Sequence, residues 1–287
     1  MKAIFKRELK SYFTGLSGYI FAAFLLLFEG IFLVVINLLN RYAAFEFSIE
    51  NMMMILLLIV PIITMKSFAE EKRAKTDQLL FSLPLKTTHI VLGKYFALLC
   101  VLLIPTLVIA IYPVILSFFG NVNLLNAYAC LLVFFLLSAA LMAICMFMSS
   151  LTDNLVVAAV LGFGSLMLTY FAPTFASIIP DAPATSFVVT LFLIAVLGFL
   201  FFKLTGSVAI SSVLGGALAV ICGIAFLAKR SLFEGLIPFL VGKLAIFDSY
   251  TLFTYGVFDI TTVFGYLCVT AFFVFLTVLS MEKKRWS

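Results

Sequence analysis

The chain has 287 residues, of which 65% are hydrophobic, 11% charged and 34 are Phe, with a mean hydropathy of +1.27. Ordinary globular domains are about 45–50% apolar and about 25% charged, and so apolar a chain cannot hide its surface in one water-soluble core. Lipid is therefore the expected solvent for most of the molecule, and the same composition speaks against disorder and nucleic-acid binding.

Taken in chain order, the apolar runs long enough to approach a bilayer crossing of about 20 residues are 18–39, 52–65, 95–119, 127–148, 155–171, 187–202, 208–228 and 261–281. The first follows basic residues as a signal peptide would. At about 22 residues it exceeds the roughly 7–15-residue apolar core of a leader and lacks a small-x-small cleavage site, so a retained span is expected. The second is short and is expected to extend back through Phe47 or forward through Phe68. The sixth and seventh, separated by 203–207, read either as a tight hairpin or as one broken, re-entrant element. The fold class expected is an all-α polytopic membrane protein of about eight transmembrane helices.

Lys and Arg cluster on the cytoplasmic side of membrane proteins. With the N-terminus inside, the inner face holds Lys2, Lys6, Arg7, Lys10, Lys66, Lys72, Arg73, Lys75, Lys86, Lys94, Lys203, Lys283, Lys284 and Arg285. The outer face holds Arg41, Lys229, Arg230 and Lys243. That 14-to-4 split favours cytoplasmic termini and an even number of spans.

Three segments between spans carry pattern of their own. In 1–14, Ile4, Phe5, Leu9, Tyr12 and Phe13 recur at helical spacing, with Lys2, Lys6, Arg7 and Lys10 on the other faces. This reads as an interfacial helix with cations toward anionic headgroups, or more simply as flanking positive charge. The inner region 66–94 carries nine named charges: Lys66, Glu70, Glu71, Lys72, Arg73, Lys75, Asp77, Lys86 and Lys94. Glu71 and Lys75 stand at i,i+4, and no Gly or Pro occurs from Ala69 to Leu80, so a charged helix is expected there until Pro84 stops it. Thr87 or Thr88 can cap the next helix. The third segment, 229–260, mixes aromatics with Glu234, Asp248 and Asp259 and is broken by Gly235, Pro238, Gly242 and Gly256. It reads as one or two half-inserted outer helices, with a ninth span as the alternative.

Five Cys (Cys100, Cys130, Cys145, Cys222, Cys268) lie in apolar runs without CxxC or Cys/His spacing, and His89 is the single histidine. Neither a disulfide framework nor a metal site is expected. The chain has no GxxxxGK[ST], HExxH, GxSxG or GxGxxG, so no catalytic residue can be named and any energy source must be an ion gradient or another subunit. Glu29 is the one deep ionisable residue, in AAFLLLFEGIFLVV. It reads either as a contact on a cargo or proton pathway, or as a neutral carboxyl hydrogen-bonded between helices. Pro61, Pro105 and Pro113 can hinge or merely kink their helices. Small residues at i,i+4 (Ala139/Ala143, Ala158/Gly162, Gly215/Ala219/Gly223) favour close helix packing, within one bundle or between subunits.

KRELKSYF before the first span, PIITMKSFAEEKRAKTDQLLFSLPLKTTHIVLGKY across the second and third, and FDSYTLFTYGVFDITTVFGYL with the EKKRW tail resemble permease subunits of ABC-2-type (type V) ATP-binding cassette transporters, especially the branch associated with bacterial gliding motility. The resemblance implies a dimerising permease, homo- or heterodimeric, in a bacterial plasma membrane, an exporter by family habit. It implies two cytoplasmic ATPase subunits that hold the ATP and Mg, with no cofactor in this chain. It places a coupling helix at about 68–83, with Phe68, Glu70, Glu71, Lys72, Arg73, Lys75, Thr76 and Asp77 as partner contacts. It matches 1–14 to the family's connecting helix and 229–260 to its outer re-entrant helices. A six-helix core is usual, so 187–228 reads as an inserted hairpin within one domain, 1–287. The competing functions are a gradient-driven carrier using Glu29 and a non-transporting membrane anchor.

Overall fold

The structure is a computed structural model, and it describes residues 1–76, 86–205, 216–218, 221–224, 226, 229–230 and 233–286. Asp77, Pro84, Gly215, Ala219 and most of the second arm of the 187–228 hairpin lie outside the described residues.

Among the described residues every regular element is helical, and apolar composition leaves the backbone no other open way to satisfy itself in lipid. The helices are α1 (Lys2–Thr14), α2 (Ser17–Phe32, continued by a π-helical stretch Leu33–Leu39), α3 (Glu46–Thr64), α4 (Ala69–Arg73), α5 (Thr87–Ile109), α6 (Tyr112–Ser117), α7 (Leu124–Leu151), α8 (Leu155–Tyr170), α9 (Ala172–Ile178), α10 (Pro183–Thr205), α11 (Leu236–Lys243), α12 (Thr251–Thr254) and α13 (Ile260–Trp286). Among the described residues five stretches are long and apolar enough to cross a membrane, Ser17–Leu39, Glu46–Arg73, Thr87–Ser117, Leu124–Leu151 and Ile260–Arg285, and up to seven if two bent helix pairs each count as a span. The protein is an all-α polytopic membrane protein.

The second apolar run extends in both directions, from Glu46 through Arg73. The third begins earlier than its apolar pattern, at Thr87, with extended backbone at Lys86 before it. It breaks at Ala110–Ile111, just before Pro113 in the first turn of α6, where a helix accepts proline. Pro61 and Pro105 lie inside α3 and α5.

The chain divides into two units, Met1–Leu168 with Ile246–Ser287, and Thr169–Ala245. In the first, α7 is the axis: 78% of its most apolar stretch is buried, against 17% for α2 and 28% for α13. Helix α13 runs along it through Phe147 against Phe273 (5.9 Å between rings) and Ser150 Oγ to Ser280 Oγ (3.2 Å). Tyr95 Oη of α5 donates to Ala139 O at 3.1 Å. Small residues set the spacing of α8: a Cβ on Gly162 would stand 3.3 Å from both Cys145 Sγ and Pro61 Cβ. Outward-facing Ile20, Phe24, Leu27 and Ile31 of α2 remain exposed on the protein alone, as a lipid-facing stripe must. In the second unit α9 and α10 pack on α11, Gly235 N donates to Asp181 O at 3.1 Å, and the rings of Phe187, Phe226 and Phe233 form a cluster.

Candidate functional site

The amino-terminal helix follows its sequence pattern with one change of partner. Its buried stripe is Ile4, Glu8 and Tyr12, one residue per turn, and this stripe faces protein rather than lipid. Ile4 packs on Ile90 of α5, and Gly93 is what lets the two helices meet: a Cβ there would stand 3.1 Å from Ile4 Cγ2. Lys2, Lys6, Arg7 and Lys10 are exposed along the other side. The chain turns from α1 into α2 at Leu16, in the left-handed region at φ 62°.

Glu8 lies on the buried stripe because two cations come to it. Lys94 of α5 is only 1% exposed, and its Nζ sits 3.2 Å from Glu8 Oε1, 3.0 Å from Glu71 Oε2 and 2.8 Å from the carbonyl of Ser67. Arg7 Nη2 closes the ring at 2.8 Å from Glu8 Oε1 and 2.5 Å from Glu71 Oε1. Two cations and two carboxylates thus balance, which matters most for Lys94, the one held fully away from water. The Lys94 ammonium also lies over the ring of Phe68, 5.2 Å from its centroid. Burial pulls the Arg7 guanidinium down, but Glu8 and Glu71 outweigh it and hold the group above its ordinary value. Burial first, then the Glu8, Glu70 and Glu71 carboxylates, pushes the Tyr12 hydroxyl well up.

The end of α7 pins the same segment from another side. Ser149 Oγ accepts from Phe68 N (3.2 Å) and Ala69 N (3.1 Å) and donates to Met65 O (2.9 Å). Lys72 Nζ donates to the carbonyl of Ser150. Residues 65–73 are therefore held at once by α1, α5 and α7.

This placement corrects the expectation of an exposed rod. Among the described residues α4 ends at Arg73 and is followed by a turn in which Lys75 takes a left-handed φ of 57°; the rest of the expected helix, 77–83, lies outside the described residues. Of the expected contacts among the described residues, Phe68 is buried, Glu71 and Lys72 are half-buried and turned toward their own chain, and Glu70, Arg73, Lys75 and Thr76 are exposed. Glu71 does not hold Lys75: it has Arg7 and Lys94, which bind it at shorter reach than a solvated i,i+4 partner. Glu8, Ser67, Lys94, Ser149 and Ser150 were not singled out from the sequence as site residues. A lone acid on an otherwise basic helix, in register with Ile4 and Tyr12, and a Ser pair closing a long apolar run were the available signals.

Glu29 stands apart, inside span α2 and fully buried. Ser48 Oγ of α3 lies 3.0 Å from its Oε1, while Oε2 has no hydrogen-bond partner among the described residues. It lines neither the cavity beside the α1–α4 cluster nor the roughly 740 Å³ cavity at the other end of the bundle, formed by Tyr42, Glu46, Asn123, Asn126 and Tyr255 among others. Among the described residues no three His, Cys, Asp or Glu side chains gather as a metal site.

A helical membrane bundle with an amino-terminal helix docked on a charged inter-span segment defines the class, a polytopic helical membrane protein. The family described as ABC-2 family transporter protein matches the chain over residues 21–214, and the chain belongs to that family. It is a membrane permease of an ABC transporter. No curated protein and no solved structure matches it.

Proposed function

We propose that the chain is the membrane half of an ATP-driven exporter whose separate cassette ATPase docks at the end carrying α1 and α4. That end faces the cytoplasm of a bacterial plasma membrane, with both termini inside and two permease chains per transporter. The chain hydrolyses no ATP itself; nucleotide and Mg stay with the partner. The observation that carries this reading is the four-charge cluster of Arg7, Glu8, Glu71 and Lys94. It ties the segment after the second span to helices α1 and α5, so a push on 70–76 reaches the bundle rather than being lost in a loose loop. The 14-to-4 bias of basic residues supports the orientation.

Within the reading the roles divide. Arg73, Lys75 and Thr76 are exposed and meet the partner, with Asp77 beside them in sequence; Glu71 and Lys94 transmit. Co-expression with the cassette ATPase tests it. Arg73→Glu with Lys75→Glu is expected to abolish co-purification. Glu71→Gln is expected to keep co-purification but lose substrate-stimulated ATP turnover. Full retention of both in both variants overturns the reading. The carrier alternative rests on Glu29, and Glu29→Gln separates it: ATP-driven transport survives under the permease reading, and ion-coupled uptake fails under the other.

A further inference from the structure

Two cavities of opposite character meet beside the charged cluster. One, of about 500 Å³, is an apolar groove between α2 and α3, walled by Phe21, Phe24, Phe28, Leu58, Ile59 and Ile62. The other, of about 370 Å³, is polar and lies between α1 and residues 66–76, with Ser11, Tyr12, Glu70 and Thr76 in its wall. Gly15, Ser17 and Lys66 line both, so the groove opens into the polar cavity at Lys66.

Length and charge together say what fits. Between Ser17 and Phe28 the helix rises about 17 Å, which is about half of a roughly 30 Å hydrocarbon core. The groove thus has the depth of one leaflet and ends at headgroup level. In the polar cavity Arg7, Glu8, Glu71 and Lys94 are committed to one another. The two remaining charged groups are Lys66 and Glu70, one helical turn apart, and among the described residues neither makes an ion pair. A cation at the mouth and an anion one turn beyond it complement a headgroup of the reverse order: phosphate next to the tails, ammonium at the tip. The uncapped start of α2 adds partial positive charge at the phosphate level.

We propose that the two cavities form one site for a phospholipid with a primary-amine headgroup, its chain in the α2–α3 groove, its phosphate at Lys66 and its ammonium at Glu70. The lipid fills the space between α1 and the inter-span segment, so it belongs to the structure that positions both. The site stands on these cavities and charges and does not depend on the ATPase docking proposed above.

Native mass spectrometry of the delipidated full-length protein, titrated separately with dioleoyl phosphatidylethanolamine, phosphatidylcholine and phosphatidylglycerol, tests the site. Phosphatidylethanolamine is expected to bind once per chain and at least about tenfold more tightly than the other two. Glu70→Gln is expected to erase that preference, Lys66→Gln to weaken all three lipids, and the swap Lys66→Glu with Glu70→Lys, which sets like charge against both the phosphate and the ammonium, to abolish phosphatidylethanolamine binding. Both residues are at least partly exposed, and Ile62→Trp, which fills the groove, is a second route to the same loss. Equal retention of the three lipids, or a preference that survives Glu70→Gln, overturns the proposal. So does a benzoylphenylalanine placed at Phe24 that cross-links a second copy of the chain instead of lipid.

Discussion

Lys94 carries a charge at 1% exposure and so depends wholly on its partners. Removing one member of a buried ion pair costs about 3–5 kcal/mol because the other is left uncompensated. Lys94→Met is therefore expected to lower thermal stability in detergent by about that much, since it leaves two carboxylates, Glu8 and Glu71, to the single cation Arg7. The double variant Lys94→Met, Glu8→Gln leaves Arg7 and Glu71 matched and is expected to recover part of the loss. A double variant no better than the single would mean that the four charges do not act together. Asp259, before α13, makes a pH prediction. It accepts from the Thr262 hydroxyl at 2.8 Å and the Thr261 amide at 2.9 Å, and these bonds, the Thr262 hydroxyl first, hold its carboxyl below the usual value. A carboxylate lowered by folding contributes its stability above the unfolded value of about 3.9 and loses it as pH falls through the folded one. The acid limb of a stability–pH curve should shrink in Asp259→Asn, and an unchanged limb would remove Asp259 from the account.

At the scale of elements, α1 is held by fit as well as by charge. A Val at Gly93 would press into Ile4 and approach Met1 O. Overpacking of this kind costs about 1–3 kcal/mol, and here the cheapest relief is for α1 to lift away. Gly93→Val is expected to expose the bonds after Lys2, Lys6 and Lys10 to trypsin while the rest of the bundle stays resistant; equal cleavage in both proteins would place α1 elsewhere. The same helix marks how far the sequence reaches. Its period of Ile4, Phe5, Leu9, Tyr12 and Phe13 is legible, because helical spacing is a local signal. Its partner is not: Arg7 and Glu71 stand 64 residues apart, and no window of sequence pairs them. The i,i+4 pattern at Glu71 and Lys75 was visible and pointed the wrong way, since a local solvated pair loses to two cations brought by other helices. The three prolines were read alike as hinge or kink, and the residue type alone did not say that the third span breaks just before Pro113 while Pro61 and Pro105 stay inside their helices. The left-handed Lys75, which ends α4 early, has no Gly or Asn to announce it.

At the scale of the whole molecule, the family match ends at residue 214, yet α13 packs along most of α7 in the first unit. Tyr266 Oη donates to Ile246 O, and Ser280 meets Ser150 beside the site where Lys72 is anchored. Removing residues 260–287 is expected to collapse the first unit, read as loss of a cooperative melting transition, although the matched region would be intact. A truncated protein that melts like the full chain would show α13 to be dispensable.

The burial of Lys94 also fixes a sequence of events in biosynthesis. When α1 leaves the ribosome, Glu8 has only the neighbouring Arg7 for company, and Ile90 and Lys94 have yet to be translated. Until they are, the nascent helix has neither its seat nor its second counter-ion, so it must wait at the bilayer surface through insertion of the first two spans. Ribosome-bound chains arrested before Lys94 should yield to protease within α1, and chains arrested after α7 has emerged should resist.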